Sequence, residues 1–171
     1  PYIKADQSIS EFSVRAIILG IILSVIFGAA NAYVGLKIGM TVSASIPAAV
    51  ISMAILRGFF KKGTVLENNM VQTIGSSGES LAAGIIFTVP ALIFLGVSPS
   101  ILEIFIMSAL GGCLGILFMI PLRRFLIVRE HATLPYPEGA ACAKILVAGQ
   151  EGGSKAKLVF GGVIIGGLYK F

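Results

Sequence analysis

Polar side chains set in apolar sequence are the residues of this 171-residue chain best placed to do chemistry. The densest group is the stretch ENNMVQTIGSSGESLAAG at residues 67–84, which leads directly into an apolar segment. Polar residues within apolar, lipid-facing sequence mark substrate or ion pathways. We therefore predict that four side chains of this stretch bind substrate: Gln72, Ser76, Ser77 and Ser80.

Two glycines, Gly75 and Gly78, flank the central pair of serines. Glycine lowers helix stability and frees backbone groups, so we predict an interrupted helix around residues 68–80. Interrupted backbone at membrane depth persists only where it lines a cavity or is buried in protein, and secondary transporters bind substrate at such breaks. The alternative is a plain cytoplasmic loop in which Ser77 or Ser80 caps the helix that follows.

Glu79 is the sharpest candidate in this stretch for proton coupling. A carboxylate that enters a low-dielectric region favours its neutral form. Such a group can take up and release a proton as access alternates between the two sides of the membrane. Glu138 is a second candidate for the same role.

Glu138 belongs to a second polar cluster, LPYPEGAACAKIL at residues 134–146. Pro137 suits the first turn of a helix, and the glutamate that follows it favours the helix dipole. Tyr136 and Glu138 could equally reach a substrate path, so we keep both as candidates. Asn31, near the end of the first apolar stretch, is another candidate for substrate binding, with anchoring at the membrane interface as the alternative.

We expect no metal or cofactor site in this chain. Cys113 and Cys142 have no metal-ligand spacing and read as inert, small apolar residues. His131 is the only histidine and lies in a basic segment without a partner set for catalysis. The sequence therefore predicts no enzyme.

The composition requires lipid as the solvent of the elements that carry these residues. Hydrophobic residues make up 56% and charged residues 12%, with a mean hydropathy of +0.97, whereas soluble domains average about 25% charged residues. The net charge of +5 is distributed between apolar stretches rather than gathered on one face. This pattern excludes a soluble enzyme and a nucleic-acid partner, and it fits the charge bias that orients membrane proteins.

The spacing of charged residues predicts an all-α, polytopic transmembrane helical bundle. Roughly 20 helical residues cross a bilayer core of about 30 Å, and four uncharged stretches have that length: 16–36, 38–56, 80–102 and 104–122. A fifth span starts near Leu158 and is truncated. Pro47, inside the second stretch, predicts a bend or a site.

Basic residues follow the second and fourth predicted spans, which places the N-terminus and both basic segments in the cytoplasm. Residues 123–157 are then a cytoplasmic loop that contains a helix-start motif. Gly111 and Gly115 form a Gly-xxx-Gly pair in the fourth span. Small residues let helices approach closely, either inside one protomer or in a homo-oligomer.

Three strings resemble the oligopeptide transporter (OPT) family, on its prokaryotic side: NAYVGLKIGMTVSASIPAAVISM, ENNMVQTIGSSGESLAAGIIFTVPAL and LPYPEGAACAKIL. The yellow stripe-like branch is similar in this region too. The resemblance runs from about Ser13 to the end of the chain. It implies that residues 1–171 are the N-terminal part of one transmembrane transporter domain of a much longer carrier.

The same resemblance implies import of oligopeptides or peptide-like metal chelates across the cytoplasmic membrane with a proton gradient. Its partners would be that substrate, protons, the bilayer and the remainder of the transporter. The rival functions are a channel, although the sequence contains no repeated filter motif, and a non-catalytic membrane subunit of a larger complex.

Overall fold

The computed structural model describes residues 2–3, 6–58, 63–151, 161–162, 165–166 and 168–169. The regular elements are helical throughout these ranges, which confirms the predicted all-α class. The helices are α1 (Val14–Ile38), α2 (Ser45–Gly58), α3 (Val65–Phe94), α4 (Ile101–Arg123) and α5 (Pro137–Glu151). A π-helical segment, Arg124–Arg129, continues α4.

Three stretches of the described chain are long and apolar enough to cross a membrane: Val14–Ile38, Val65–Phe94 and Ile101–Arg129. The second of the four predicted full spans is therefore wrong. α2 has only 14 residues and is about 21 Å long, too short to cross the bilayer core. The third span begins fifteen residues earlier than predicted. The proposed start of a fifth span, Leu158, lies outside the described residues.

Thr64 explains the early start of α3. Its hydroxyl accepts a hydrogen bond from the backbone N–H of Glu67, and the Glu67 carboxylate accepts one in return from the Thr64 N–H. This reciprocal capping box is a strong start signal. It caps the helix well before Ser77 and Ser80, so the alternative that either serine is the cap is also wrong.

The predicted interruption around residues 68–80 is absent, since α3 is continuous from Val65 to Phe94. The serine hydroxyls bond back to helix carbonyls, with Ser77 Oγ donating to Ile74 O at 2.7 Å. Gly78 contributes to close packing instead of breaking the helix. A Cβ built there would lie 2.5 Å from the backbone oxygen of Ser24, so only glycine permits this approach of α1.

α1 and α3 run parallel and in close contact along most of their length. Arg15 pairs with Glu67 near the start, and Gly35 lies against Ile86 near the end. We call this contact the α1–α3 seam. Because glycines face the partner helix at several levels, the two backbones approach where lipid supplies no hydrophobic driving force between helices.

The true break in the helical structure lies at residues 39–44, between α1 and α2. α2 runs antiparallel to α3, with Ala48 beside Gly75. α1 ends just beyond Gly35, which lies beside Ile86 further along α3. Those two levels on α3 are about 16 Å apart. Ile38 lies three residues beyond Gly35 and Ser45 three residues before Ala48, so their levels along α3 are also about 16 Å apart, more than the roughly 10 Å that seven helical residues would rise. The connecting segment is therefore drawn out alongside α1.

Two contacts fix the geometry of this segment. Asn31 Nδ2 donates to Val42 O, and Val42 N donates to Asn31 Oδ1, both at 3.0 Å. Pro47 lies in the first turn of α2, where proline is tolerated, so the predicted mid-span bend is wrong.

α5 begins at Pro137, as the helix-start motif predicts. It runs parallel to α2, because Cys142 lies near Ser45 and the Arg57 guanidinium donates to the carbonyls of Gly149 and Gln150. Buried apolar residues of the two helices form one small core, and α1, α2 and α3 share another. Residues 152–157 of the predicted cytoplasmic loop lie outside the described residues.

α4 is capped by a reciprocal capping box of Ser100 and Glu103. None of its residues is buried, and nothing in the described chain lies within 4 Å of a Cβ built at Gly111 or Gly115. The Gly-xxx-Gly pair therefore has no partner helix among the described residues.

Candidate functional site

A polar crevice forms where the first turns of α2 and α5 meet the side of α3. Its volume is about 260 Å³. The polar character comes from one carboxylate, two amides, a hydroxyl and a thiol. The full lining is Ser45, Asn69, Gln72, Glu138, Gly139, Cys142 and Ala143.

Glu138 is held at this crevice by the residues that precede α2. Ser43 Oγ donates to Glu138 Oε1, and the Ser45 hydroxyl is a second donor to the same carboxylate. These hydrogen bonds hold the pKa of Glu138 below its ordinary value of 4.5, with burial opposing them weakly. The carboxylate therefore stays ionised at neutral pH, where the N-terminal dipole of α5 also favours it.

The α3 wall of the crevice is a polar stripe that we define as Asn69, Gln72, Ser76 and Glu79. These residues recur at spacings of three and four, so they share one helix face. Gln72 Nε2 donates to Ser76 Oγ at 3.5 Å, the long limit of a hydrogen bond. The structure thus brings together Gln72 and Glu138 in the crevice, with Ser76 directly above them.

Glu79 lies fourteen residues after Val65 and fifteen before Phe94, at the middle of α3. It is seven residues beyond Gln72 on the same face, about 10 Å along the helix axis. Its side chain is partly buried, and the described residues give its carboxylate no hydrogen bond or ion pair. A carboxylate halfway along a membrane-length helix lies where ionisable side chains are rare and costly.

Two predicted site residues do not line the crevice. Ser77 is exposed on the opposite side of α3, and its hydroxyl is satisfied by its own helix. Ser80 lines a separate, mainly apolar groove between α3 and α4. Ser77 was grouped with Gln72 by adjacency in sequence, but five residues along a continuous helix lead to a different face. Ser80, four residues after Ser76, continues the face of the stripe but lies beyond the crevice.

Asn31 and Tyr136 do not line the crevice. Their side chains form hydrogen bonds with backbone groups of neighbouring segments. Both polar ends of the Asn31 amide are used by Val42, and the residue is 4% exposed. Tyr136 Oη donates to Leu126 O at 2.9 Å, tying the start of α5 to the π-helical segment. His131 is exposed in the turn between these elements.

Three residues of the site were missed as candidates: Ser45 and Asn69, which line the crevice, and Ser43, which donates to Glu138. No spacing rule connects them to Glu138, because they come together only through the break at residues 39–44 and the return of α5. A usable signal was nevertheless present at Thr64 and Glu67, whose capping box places the start of α3 and so aligns the polar stripe.

The chain matches the family model described as OPT oligopeptide transporter protein over residues 11–171. It belongs to this family. Membership points to a transporter rather than an enzyme, and together with the long apolar helices it identifies a multi-pass membrane protein. The family resemblance noted in the sequence is thereby confirmed.

Two relatives carry the name "Putative oligopeptide transporter". The protein from Haemophilus influenzae is 49% identical over 139 residues, which cover 78% of this chain and 21% of the relative. The protein from Saccharomyces cerevisiae is 28% identical over 160 residues, covering 81% and 22%. The chain thus spans about a fifth of the length of these relatives. No solved structure gives a significant match.

Proposed function

We propose that the full-length protein is a secondary active transporter. It imports oligopeptides or peptide-like metal chelates across the cytoplasmic membrane and is driven by protons. The polar crevice contributes to its substrate cavity. Family membership and the names of the two relatives support transport of this substrate class.

The observation that carries the proposal is the meeting of two helix N-termini beside the stripe on α3. α2 starts after non-helical backbone that lies alongside the membrane-length helix α1, and α5 starts beside the first turn of α2. Non-helical backbone at that depth must be buried or line a cavity. Discontinuous helices with their ends at a polar site are the arrangement in which secondary transporters bind substrate.

The arrangement of helices supports a cytoplasmic N-terminus. α1 and α3 run one way and α2 and α4 the other, so the ends of α2 and α4 lie on the same side as the start of α1. Arg57 is in the last turn of α2, while Arg123 and Arg129 follow α4. Clustering of arginines on that side matches the positive-inside rule.

The two acids have different surroundings, and this favours Glu79 as the coupling acid. Glu138 is stabilised as a carboxylate by hydroxyl donors, which lowers its pKa and disfavours protonation near neutral pH. Glu79 has no such donors among the described residues. The described residues thus leave the Glu79 carboxylate without a fixed partner at the middle of a membrane-length helix, the position that we assign to the coupling acid.

The test is uptake by the full-length carrier in proteoliposomes with an imposed pH gradient. We expect Glu79→Gln to abolish proton-driven accumulation while membrane insertion is preserved. Glu130→Gln is the matched control and should accumulate substrate normally. It changes a half-buried glutamate in the turn before α5, whose carboxylate accepts a hydrogen bond from Thr133. Unchanged gradient-driven uptake in Glu79→Gln would remove Glu79 from the coupling step.

The substrate class is tested in the same vesicles by comparing labelled peptides with labelled metal chelates. We expect at least one of these two classes to be accumulated against its gradient. Passive equilibration of both, without any response to the pH gradient, would contradict a proton-driven carrier.

A further inference from the structure

The crevice offers hydrogen-bond acceptors that are not fully used within the chain. The Asn69 side-chain amide makes no hydrogen bond to the described residues. Gln72 donates through its nitrogen to Ser76, which leaves its carbonyl oxygen open. Glu138 uses hydroxyl donors on one side and can accept further bonds, because an ionised carboxylate has about four lone-pair sites.

The charge of the crevice is negative. Its lining includes Glu138 and, among the described residues, no lysine or arginine. The hydroxyls of Ser43 and Ser45 fix the position of the carboxylate without neutralising it. A ligand group that complements this site is cationic and carries several donors.

The size of the crevice restricts what part of a ligand it can hold. Its volume of about 260 Å³ is below the roughly 300–1,000 Å³ that encloses a drug-sized ligand. It can therefore take one end of an oligopeptide rather than a whole one. A primary ammonium group presents three donors, which matches one carboxylate and two amide oxygens.

We propose that the crevice binds the N-terminal ammonium group of the peptide substrate, with Glu138 as its counter-ion and Gln72 and Asn69 as the flanking acceptors. This inference rests on the proposed function and specifies its substrate class as peptides with a free amino end. It also gives Glu138 a role in substrate recognition that is separate from proton coupling by Glu79.

The rival ligand for the same place is the peptide carboxyl end, since helix N-termini attract anions. Glu138 already occupies the anionic position before α2, through Ser43 and Ser45. A second carboxylate in so small a crevice would face like-charge repulsion. The geometry therefore favours the amino end over the carboxyl end.

The experiment measures equilibrium binding of labelled trialanine to the purified full-length carrier, against three matched peptides. These are N-acetyl-trialanine, trialanine amide, and N-acetyl-Ala-Lys-Ala, which carries its ammonium only on the side chain. We expect N-acetylation to weaken binding about tenfold to a hundredfold, as loss of a charge-assisted contact does. The C-terminal amide should bind nearly as tightly as trialanine.

Glu138→Gln provides the second arm. We expect it to weaken binding of trialanine to the level of the acetylated peptide, and acetylation should then cause no further loss in this variant. Such non-additivity is the signature of two groups in direct contact. Glu130→Gln is the control and should retain the full difference between the free and acetylated peptides.

Each outcome is decisive. Equal binding of trialanine and N-acetyl-trialanine would overturn the assignment of the amino end while leaving a peptide carrier in place. Tighter binding of N-acetyl-Ala-Lys-Ala than of N-acetyl-trialanine would show that any ammonium satisfies Glu138 and would overturn the N-terminal assignment. Weakened binding of the amide alone would transfer the site to the carboxyl end. Absence of binding for every peptide, with chelates still transported, would overturn peptide recognition altogether.

Discussion

The α1–α3 seam and the polar crevice lie on two sides of the same helix and are built in opposite ways. At the seam, glycines bring two parallel helices into backbone contact, and the Arg15–Glu67 pair closes its start with N–O distances of 2.9 and 3.0 Å. At the crevice, two helices begin instead of passing through, and polar side chains surround open space. α3 is thus a closely packed wall on one side and an open polar surface on the other.

The difference shows what glycine and broken helix each contribute in this chain. Gly75 and Gly78 suggest a break, yet they lie in a continuous helix where a side chain would meet α1 or α2. The real break lies at residues 39–44. Its one glycine is Gly39, and its conformation is held by two hydrogen bonds between Asn31 and Val42. Because α1 and α3 pack closely at the seam, there is little space between them. The open space lies instead at the start of the short α2, which follows the drawn-out segment.

The largest effect is expected from opening the start of the seam. Arg15→Met leaves the fully buried Glu67 carboxylate without its bidentate partner, and an uncompensated buried charge costs about 3–5 kcal/mol. Unfolding of the purified full-length carrier in mixed micelles measures the loss. Adding Glu67→Met should restore most of the stability, and failure of this rescue would contradict the account of the pair.

A smaller loss is expected within the seam. Gly78→Ala would place a Cβ against the Ser24 backbone, and overpacking of this kind costs about 1–3 kcal/mol. Gly84→Ala is the matched control on the same helix, because its Cβ meets nothing within 4 Å. The control should be neutral or stabilising by up to about 1 kcal/mol, since alanine favours helix. Equal effects at the two positions would deny that the seam depends on glycine.

The drawn-out segment is tested by Asn31→Leu. This change keeps the bulk of the side chain but removes both hydrogen bonds to Val42, and each such bond contributes about 1 kcal/mol. We expect a modest loss of stability together with weaker binding of trialanine, because the start of α2 is no longer held. Tyr33→Phe, on an exposed position of α1, is the control. Stability loss with unchanged binding would separate the segment from the crevice.

The smallest expected effect concerns pH. Glu138 has a pKa below 4.5 because Ser43 and Ser45 donate to it, so its charged form is present above that value and is lost only as pH falls through it. The other titratable group at the crevice is the Cys142 thiol, whose pKa is raised by burial and by Glu138. The ratio of trialanine affinities between the unaltered carrier and Glu138→Gln should therefore be constant from about pH 5.5 to 7. A midpoint inside that interval would contradict the ionised state of Glu138.

The sequence predicted the class of fold because composition and charge spacing report directly on the bilayer. It also predicted the start of α5 at Pro137, since that signal is local. The boundaries of α2 and α3 were missed for a physical reason. Residues 38–56 are an uncharged run of 19 residues. Such a run is equally compatible with one membrane-length helix and with six extended residues followed by a short helix.

The candidate site was predicted only in part. Gln72 and Glu138 were both identified, from separate clusters, and the structure places them in one crevice. Ser77 was added by proximity in sequence, which does not determine the face of a helix, and Ser80 lies about two turns beyond Gln72, at the groove between α3 and α4. Ser43, Ser45 and Asn69 required the path of the chain, because contacts across about 95 residues are not encoded in local spacing.

The most direct test of the crevice as substrate cavity compares single cysteines at two positions on α3 in an otherwise cysteine-free full-length carrier. Gln72→Cys places a thiol in the crevice, and Ser77→Cys places one on the opposite face of the same helix. An aqueous thiol reagent should modify position 72, and trialanine should slow that reaction without changing the rate at position 77. Inertness at position 72 with and without peptide, or equal protection at both positions, would contradict the account.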